Sequence, residues 1–252
     1  MASTRRIDNL RAQMSGARRV SAPVVNSCSG SAELRAAVGK KNPDDVVVVS
    51  ALRTAIGRAR KGSFRNTTPD TLLSGVLKGV LKQVEGKVKA QDVQDLVVGN
   101  VQLGGAYAGP ARMAMFTAGF DEKTPLMAVN RQCSSGLQAI ANVAANIKMG
   151  GIDAGIGAGV ESMTSGGRPG DGPPPPIDMN AVFENKLARE ALTPMGITSE
   201  NVAERYGITR KEQDSMAVAS HAKALKATAD GLFKDEIVPM TVMVEDKEGN
   251  ES

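Results

Sequence analysis

Short apolar runs alternate with helical apolar stripes through the first two thirds of the chain. Residues 46–49 are four consecutive valines, a β-branched run typical of a strand buried on both faces, and we expect that strand to span 44–51. Residues 67–70 (Thr-Thr-Pro-Asp) predict a helix start, because proline is favoured in the first turn and an acid there meets the helix dipole. Similar patterns predict strands at 95–101, 126–129 and 154–160, and helices at 111–118 and about 134–149. Strands separated by helices predict a parallel, layered α/β sheet.

The pattern changes after residue 160. Residues 165–176 form a Gly/Pro loop ending in four consecutive prolines, which can enter neither a helix interior nor a central strand. Beyond this loop we expect a helix start at 198–201, a long helix from 210 to about 229 and a strand within 233–244. The sequence therefore predicts three consecutive parts: a targeting leader over 1–43, an α/β domain over 44–160 and an irregular, helix-containing domain over 161–252.

Charge is distributed unevenly along the chain. The 252 residues carry a net charge of +4, yet residues 1–41 alone hold eight basic side chains against two acidic ones. The rest of the chain is therefore slightly acidic, which argues against a nucleic-acid-binding surface. The two cysteines, Cys28 and Cys133, are too few for a disulfide framework and lack metal-ligand spacing, so a reducing compartment is expected. No apolar run approaches the length of a membrane span.

The leader is rich in Ser, Ala and Arg and is predicted to be a targeting extension outside the fold. Within it, Arg6 and Ile7, a five-residue spacer, then Gln13 and Met14 resemble an N-terminal peroxisomal signal, although Met14 departs from the usual last residue. On a helix these side chains would form an amphipathic stripe that an import receptor could bind in a groove. An Arg-rich mitochondrial presequence is the alternative interpretation. The leader sequence alone favours neither the peroxisomal signal nor the mitochondrial presequence clearly.

Cys133 is placed at a predicted corner between a strand and a helix. Side chains at such corners project from the carboxyl edge of the sheet, where α/β proteins bind ligands. Unpaired amides and the positive end of the dipole at a helix N-terminus stabilise a thiolate, and they can also bind an acyl oxyanion. The helix after Cys133 is nearly all Ala, Ile and Val, which predicts that it is buried and holds the corner rigidly. This is the layout that nucleophilic acyl transfer needs.

Several residues that could have a catalytic or binding role also have a purely structural interpretation. A lone cysteine is more often a small buried hydrophobe, and from the corner alone that interpretation of Cys133 is slightly favoured. Residues 155–159 are Gly-rich but lie within a predicted strand, which argues against a dinucleotide fingerprint. The basic loop 58–65 could attract phosphates, but a solvated charge cluster is the favoured interpretation. His221, the single histidine, lies on a predicted surface helix and is interpreted as solvated rather than catalytic.

The sequence motif around Cys133, taken as a whole, favours the catalytic interpretation over that of a buried hydrophobe. Residues 130–139, Asn-Arg-Gln-Cys-Ser-Ser-Gly-Leu-Gln-Ala, resemble the nucleophile motif of the peroxisomal 3-ketoacyl-CoA thiolases. Further segments match that family in the same order: Arg-Thr at 53–54, Gly-Val-Glu-Ser-Met at 159–163, Pro-Met-Gly-Ile-Thr-Ser-Glu-Asn-Val-Ala at 194–203 and Lys-Asp-Glu-Ile-Val-Pro at 234–239. The resemblance covers about residue 44 to the end, and it favours the peroxisome over the mitochondrial matrix for the leader.

The resemblance implies a thiolase-like layered α/β sheet half plus an irregular loop domain. It also implies an acetyl-CoA C-acyltransferase of fatty-acid β-oxidation. Cys133 would attack a 3-ketoacyl-CoA and keep the shortened acyl group as a thioester while acetyl-CoA departs; CoA would then collect the acyl group. Met195, and with it Met163, would line the acyl/CoA pocket. The resemblance further implies CoA as a co-substrate, no prosthetic cofactor or metal, and a homodimer.

The sequence also departs from the family pattern. Thiolases have a second, related half that carries a Gly-His-Pro histidine, an Asn-Glu-Ala-Phe-Ala segment and a second catalytic cysteine, and these motifs do not occur in the 252 residues. We therefore expect the isolated chain to have negligible turnover and its sheet half to expose an apolar face. One alternative is a catalytically silent protein of this fold that dimerises or binds acyl-CoA. Another is a decarboxylating ketoacyl synthase, which the segment around Met195 argues against.

Overall fold

The computed structural model describes residue 39, residues 42–166 and residues 176–244. These residues belong to two compact units, which are described separately below. The first unit contains residues 42–166 and 234–244, and the second contains residues 176–233. The predicted leader signal and most of the Gly/Pro loop lie outside the described residues.

A three-stranded parallel sheet forms the centre of the first unit. Its strands are β1 (Asp95–Gly99), β2 (Leu126–Val129) and β3 (Gly155–Gly159), in the order β2-β1-β3. Val97 of β1 lies opposite Met127 of β2 and Gly157 of β3. All three strands were predicted from the apolar runs, and β1 takes the central position because its three consecutive apolar residues can be buried on both faces.

Helices cover both faces of β1. On one face α1 (Pro69–Gln83) and α2 (Ala108–Thr117) form a buried cluster with β1. The cluster includes Leu73, Leu77, Leu96, Val98, Met115 and Phe120. On the other face Val97 packs against Ala139 and Val143 of α3 (Ser135–Lys148). The predicted layered α/β arrangement with parallel strands is confirmed. Single turns of 3-10 helix at Ala90–Asp92 and Gly104–Tyr107 complete the connections.

Helix α3 is buried along one stripe only, so the prediction of a fully buried helix was wrong. Ser135, Ala139 and Val143 face the sheet, whereas Leu137 is 71% exposed and Ile140 49% exposed. The prediction counted apolar residue types without asking which face of the helix each one occupies. The buried residues are spaced four apart, so they lie on one side of the helix, and only that side is covered by the rest of the described unit. The outer side of α3 is an exposed apolar face.

The strands predicted at 44–51 and within 233–244 do not form. The valines at 46–49 are exposed and belong to no strand, and the two segments meet at one bridge, Arg53 to Ile237. Arg53 N–H donates to the Glu236 carbonyl at 2.8 Å, and the two side chains form an ion pair at 2.6 Å. A β-branched run becomes a strand only where a neighbour supplies a hydrogen-bond ladder and cover for its faces, and the described residues supply neither at 46–49.

The second unit consists of four helices: α4 (Met179–Glu184), α5 (Lys186–Glu190), α6 (Met195–Tyr206) and α7 (Arg210–Ala229). Helix α7 was predicted with these bounds. The helix start predicted at 198–201 was wrong, because Pro194 caps α6 and Thr198 N–H already donates to the Pro194 carbonyl within the helix. The short helices α4 and α5 were not predicted. None of the helices in the described residues is long and apolar enough to cross a membrane.

Candidate active site

The corner between β2 and α3 is built from local hydrogen bonds. Gln132 has a positive φ of 51°, an uncommon backbone conformation for a residue other than glycine. It is held there by Asn130, whose side-chain oxygen Oδ1 accepts the Gln132 N–H at 3.0 Å. Ser135 then closes the turn: its hydroxyl donates to the Gln132 carbonyl at 2.6 Å and accepts the Arg131 N–H at 2.8 Å. The left-handed residue directly before Cys133 turns the chain from strand into helix.

Cys133 is a free thiol, and it is exposed. The interpretation of Cys133 as a small buried hydrophobe is therefore wrong. Ser134 is the N-cap of α3, so Cys133 lies immediately outside the first turn of the helix. In the described part of the chain the amides of Gly136 and Leu137, in the first turn of α3, have no hydrogen-bond acceptor. Free N–H groups next to an accessible thiol can bind the oxygen of a carbonyl that the sulfur attacks.

Glycines in the sheet allow α3 to approach it closely. A Cβ atom placed on Gly99, at the end of β1, would lie 2.5 Å from the Ser135 carbonyl carbon and 2.6 Å from the Gly136 nitrogen. One placed on Gly157 in β3 would lie 2.6 Å from the Ile140 Cα. Side chains at these positions would push α3 away from the sheet. The Gly-rich run at 155–159 therefore serves helix packing, and it lies in a strand as predicted.

A polar network ties together the carboxyl ends of the three strands. Asn100, directly after β1, is 1% exposed and donates to the Val160 carbonyl after β3 at 2.6 Å. Glu161 accepts the Val101 N–H at 2.9 Å and the Asn100 side-chain amide at 3.2 Å. Asn130, directly after β2, donates to the Val101 carbonyl at 3.1 Å. Sequence reasoning did not assign roles to Asn100, Asn130 or Glu161. A polar residue within two positions after each strand was a signal for their place at the sheet edge, but not for the hydrogen bonds that join them.

Tyr107 lies in a loop with unusual backbone geometry. Gly105, Ala106 and Tyr107 all have positive φ, between 51° and 66°. The Tyr107 hydroxyl accepts the Asp70 N–H at 3.1 Å and donates to the Asp70 carboxylate at 3.3 Å, which fastens the loop to the first turn of α1. Burial, followed by the Asp70 carboxylate, raises the pKa of the Tyr107 hydroxyl above its ordinary value. The phenol therefore stays neutral and keeps its proton for this contact at neutral pH.

The other predicted site residues belong to different units or lie outside the described residues. Met163 is 44% exposed in the first unit, two residues after Glu161. Met195 is the exposed first residue of α6 in the second unit, and His221 is exposed on α7, as predicted. The predicted signal residues Arg6, Ile7, Gln13 and Met14 lie outside the described residues. Within residues 42–166 and 176–244, no cluster of three His, Cys, Asp or Glu side chains could hold a metal ion.

A family model described as "Thiolase, N-terminal domain" matches residues 46–251. A relative from Rattus norvegicus, named 3-ketoacyl-CoA thiolase B, peroxisomal, is 53% identical over 206 residues, which cover 82% of this chain and 47% of the rat protein. A relative from Arabidopsis thaliana, named 3-ketoacyl-CoA thiolase 1, peroxisomal, is 51% identical over 210 residues, which cover 82% of this chain and 46% of the Arabidopsis protein. The chain thus spans about half the length of the curated relatives it matches.

Solved structures agree with these matches. The crystal structure of the dimeric peroxisomal thiolase of Saccharomyces cerevisiae superimposes with a TM-score of 0.71 at 38% identity, covering 84% of this chain and 53% of the yeast chain. The acetyl-CoA acetyltransferase of Bacillus anthracis gives a TM-score of 0.65 at 32% identity, covering 82% of this chain and 53% of its own. The α/β layers agree with the family match, and the chain belongs to the thiolase family, whose N-terminal domain it contains.

Proposed function

We propose that this chain provides the nucleophile domain of a 3-ketoacyl-CoA thiolase, an acetyl-CoA C-acyltransferase of fatty-acid β-oxidation. The observation that carries the proposal is the exposed Cys133 thiol at the corner before α3, with unbonded amides beside it. The relatives named as peroxisomal 3-ketoacyl-CoA thiolases support the substrate class. Those names also support a peroxisomal location, and the dimeric yeast structure supports a homodimer.

The proposed reaction has two steps at the Cys133 sulfur. The thiolate attacks the 3-keto carbon of a 3-ketoacyl-CoA, and the amides at the start of α3 bind the oxyanion that forms. The bond between carbons 2 and 3 then breaks, leaving an acyl group on Cys133 as a thioester, while the departing acetyl-CoA carbanion takes a proton from a general acid. The thiolate of CoA attacks the thioester, which releases an acyl-CoA two carbons shorter and restores the Cys133 thiolate. CoA acts as a co-substrate, and no prosthetic group takes part.

Other parts of the chain have proposed roles in the same function. Met195 and Met163 are proposed to line the acyl/CoA pocket; both are flexible apolar side chains with exposed surface. The leader residues Arg6, Ile7, Gln13 and Met14 are proposed to bind a peroxisomal import receptor. These roles rest on the matching segments of sequence and on the names of the relatives.

Acylation of Cys133 is the test of this proposal. The purified chain is incubated with a 3-ketoacyl-CoA or an acyl-CoA, and the adduct is mapped by peptide mass spectrometry. We expect the acyl group on Cys133 at a level roughly tenfold above Cys28, because the unbonded amides beside Cys133 can stabilise the oxyanion that forms during acylation. Cys28→Ser should leave the adduct unchanged, and Cys133→Ser should abolish it. Equal labelling of the two cysteines would contradict the proposal.

A second candidate follows from the exposed apolar face of α3, which includes Leu137 and Ile140. An uncovered apolar face favours association with another surface, so the chain could act as a catalytically silent protein that dimerises or binds acyl-CoA. Binding of acyl-CoA with no covalent adduct on Cys133 would favour this candidate over the first. An adduct on Cys133 would exclude it.

A further inference from the structure

We propose that Glu161 is a positioning residue for Cys133, acting through Val101 and Asn130. The inference rests on the proposed function, in which Cys133 is the nucleophile. Glu161 is not part of the Cys133 corner in sequence, because it follows β3 while Cys133 follows β2. The hydrogen bonds across the carboxyl edge of the sheet connect the two.

The Glu161 carboxylate organises the loop that follows β1. Its Oε2 accepts the Val101 N–H at 2.9 Å, and its Oε1 accepts the Gln102 N–H at 3.4 Å and the Asn100 side-chain amide at 3.2 Å. A carboxylate suits this position because it only accepts hydrogen bonds and has two oxygens to do so. Hydrogen bonds to an ionised acceptor are also stronger than neutral ones. The backbone after β1 is therefore held by one charged side chain from the loop after β3.

Asn100 reinforces the same arrangement from inside the fold. Its buried side chain donates to the Val160 carbonyl as well as to Glu161, and its Oδ1 accepts the Leu103 N–H at 2.9 Å. Every polar atom of this buried amide thus has a partner at the sheet edge. The loop over 100–103 is anchored at both ends, and its carbonyl groups have defined directions.

The Val101 carbonyl links this loop to the corner at Cys133 by a hydrogen bond. It accepts the Asn130 side-chain amide at 3.1 Å, which orients the Asn130 side chain. The oxygen of that side chain accepts the Gln132 N–H and holds Gln132 in its left-handed conformation. The direction of the chain at Gln132 determines where Cys133 lies relative to the first turn of α3. Glu161 therefore acts on the thiol through one loop and one side chain.

The experiment measures the second-order rate constant for alkylation of Cys133 in a Cys28→Ser chain. Glu161→Gln replaces one acceptor oxygen with an N–H₂ donor facing backbone donors, while the matched control Glu122→Gln changes an exposed carboxylate. We expect Glu161→Gln to slow alkylation roughly tenfold, since the rate depends on access to the sulfur and on the groups beside it, which change when the corner shifts, and Glu122→Gln to leave it unchanged. Circular dichroism confirms that the variants are folded under the labelling conditions.

Two readouts separate positioning from an effect of the Glu161 charge and from independent effects of the two substitutions. Neutral iodoacetamide and anionic iodoacetate should slow by the same factor; a change in opposite directions would mean that Glu161 acts by its charge, and would overturn the proposal. Asn130→Ala combined with Glu161→Gln should be no slower than the slower single variant, because both changes interrupt one connection. Additive effects would overturn the proposal. If Glu161→Gln does not fold, Glu161→Asp, which keeps the charge but is one methylene shorter, is measured in the same way.

The outcome is independent of the test of the proposed function. That test asks whether the parent chain is acylated at Cys133, whereas this one compares alkylation rates among variants. Acylation of Cys133 together with equal alkylation rates for the parent and Glu161→Gln would refute the positioning role alone. A parent chain that is not acylated, in which Glu161→Gln still slows alkylation, would refute the thiolase chemistry alone.

Discussion

The two units of the chain are stabilised in different ways. In the first unit the central strand β1 is completely buried: Leu96, Val97 and Val98 are all 0% exposed. In the second unit no described residue between 176 and 233 is buried. The first unit therefore depends on contacts between residues distant in sequence, whereas each helix of the second depends on signals within its own few turns.

Three of the four helices of the second unit, α4, α5 and α7, begin with a side-chain cap. Asp178 caps α4 by accepting two backbone N–H groups of its first turn, and Asn185 caps α5 by accepting one. Thr209 and Glu212 form a reciprocal capping box at the start of α7. Ion pairs four residues apart, such as Arg210 with Asp214, lie along its exposed surface. Each of these interactions is worth about 1 kcal/mol or less, so the helices are individually marginal.

The comparison explains where the candidate site lies. A nucleophile must be held in a defined direction, and Cys133 follows a strand of the unit with a buried core. Its corner is fixed by Gly99, Asn130 and Glu161, each on a different element. The exposed helices of the second unit offer surface without such rigidity.

The largest expected effect is in the buried strand. Leu96→Ala should lower the free energy of unfolding of the first unit by about 2–5 kcal/mol, because it removes buried methyl groups and leaves a cavity between β1 and the α1–α2 layer. The matched change Leu225→Ala, on α7 where Leu225 is 73% exposed, should alter stability by less than about 0.5 kcal/mol. Urea unfolding with hydrogen-exchange readout in each unit measures both. Equal effects would mean that the two units do not differ as described.

The same contrast shows what could be predicted from sequence. Helix α7 was predicted with its observed bounds, and the interactions that fix its start, the capping box of Thr209 and Glu212, lie within its own first turn. The three strands were predicted because a short, strongly apolar run bounded by Gly and polar residues is typical of a buried strand. Since the strands alternate with helices, the parallel sheet followed from the same pattern.

The errors occurred where the outcome depends on distant partners. The valines at 46–49 have the composition of a buried strand, but whether they form one depends on a neighbour that local pattern does not reveal. Helix α3 was predicted as buried because apolar content was considered without the direction of each side chain. At the candidate site, Cys133 was predicted as the nucleophile from the whole motif at 130–139, because the corner alone slightly favoured a buried hydrophobe. The Glu161 connection could not be predicted, because its hydrogen bonds join residues about 60 positions apart.

A smaller effect is expected where α3 meets the sheet. Gly99→Ala introduces a Cβ atom into contact with the Ser135 and Gly136 backbone, which cannot rotate away, so the corner must shift. We expect the free energy of unfolding to fall by about 1–3 kcal/mol and the alkylation rate of Cys133 to fall with it. Gly104→Ala is the control, because no atom lies within 4 Å of the position that its new Cβ would take and its φ is not positive. A Gly99→Ala chain with parent stability and parent reactivity would show that the close approach is unimportant.

The smallest effect concerns a single cap in the second unit. Thr209→Ala removes the hydroxyl that accepts the Glu212 N–H at 3.3 Å and contacts the Glu212 carboxylate at 2.9 Å, so α7 loses half of its capping box. We expect the first turn of α7 to lose about 1 kcal/mol, seen as roughly fivefold faster amide hydrogen exchange there, with the first unit unaffected. Ser199→Ala, an exposed position inside α6, should change exchange little. Faster exchange throughout the first unit after Thr209→Ala would show that the α7 cap stabilises more than its own helix, and the division between a packed unit and a locally stabilised one would fail.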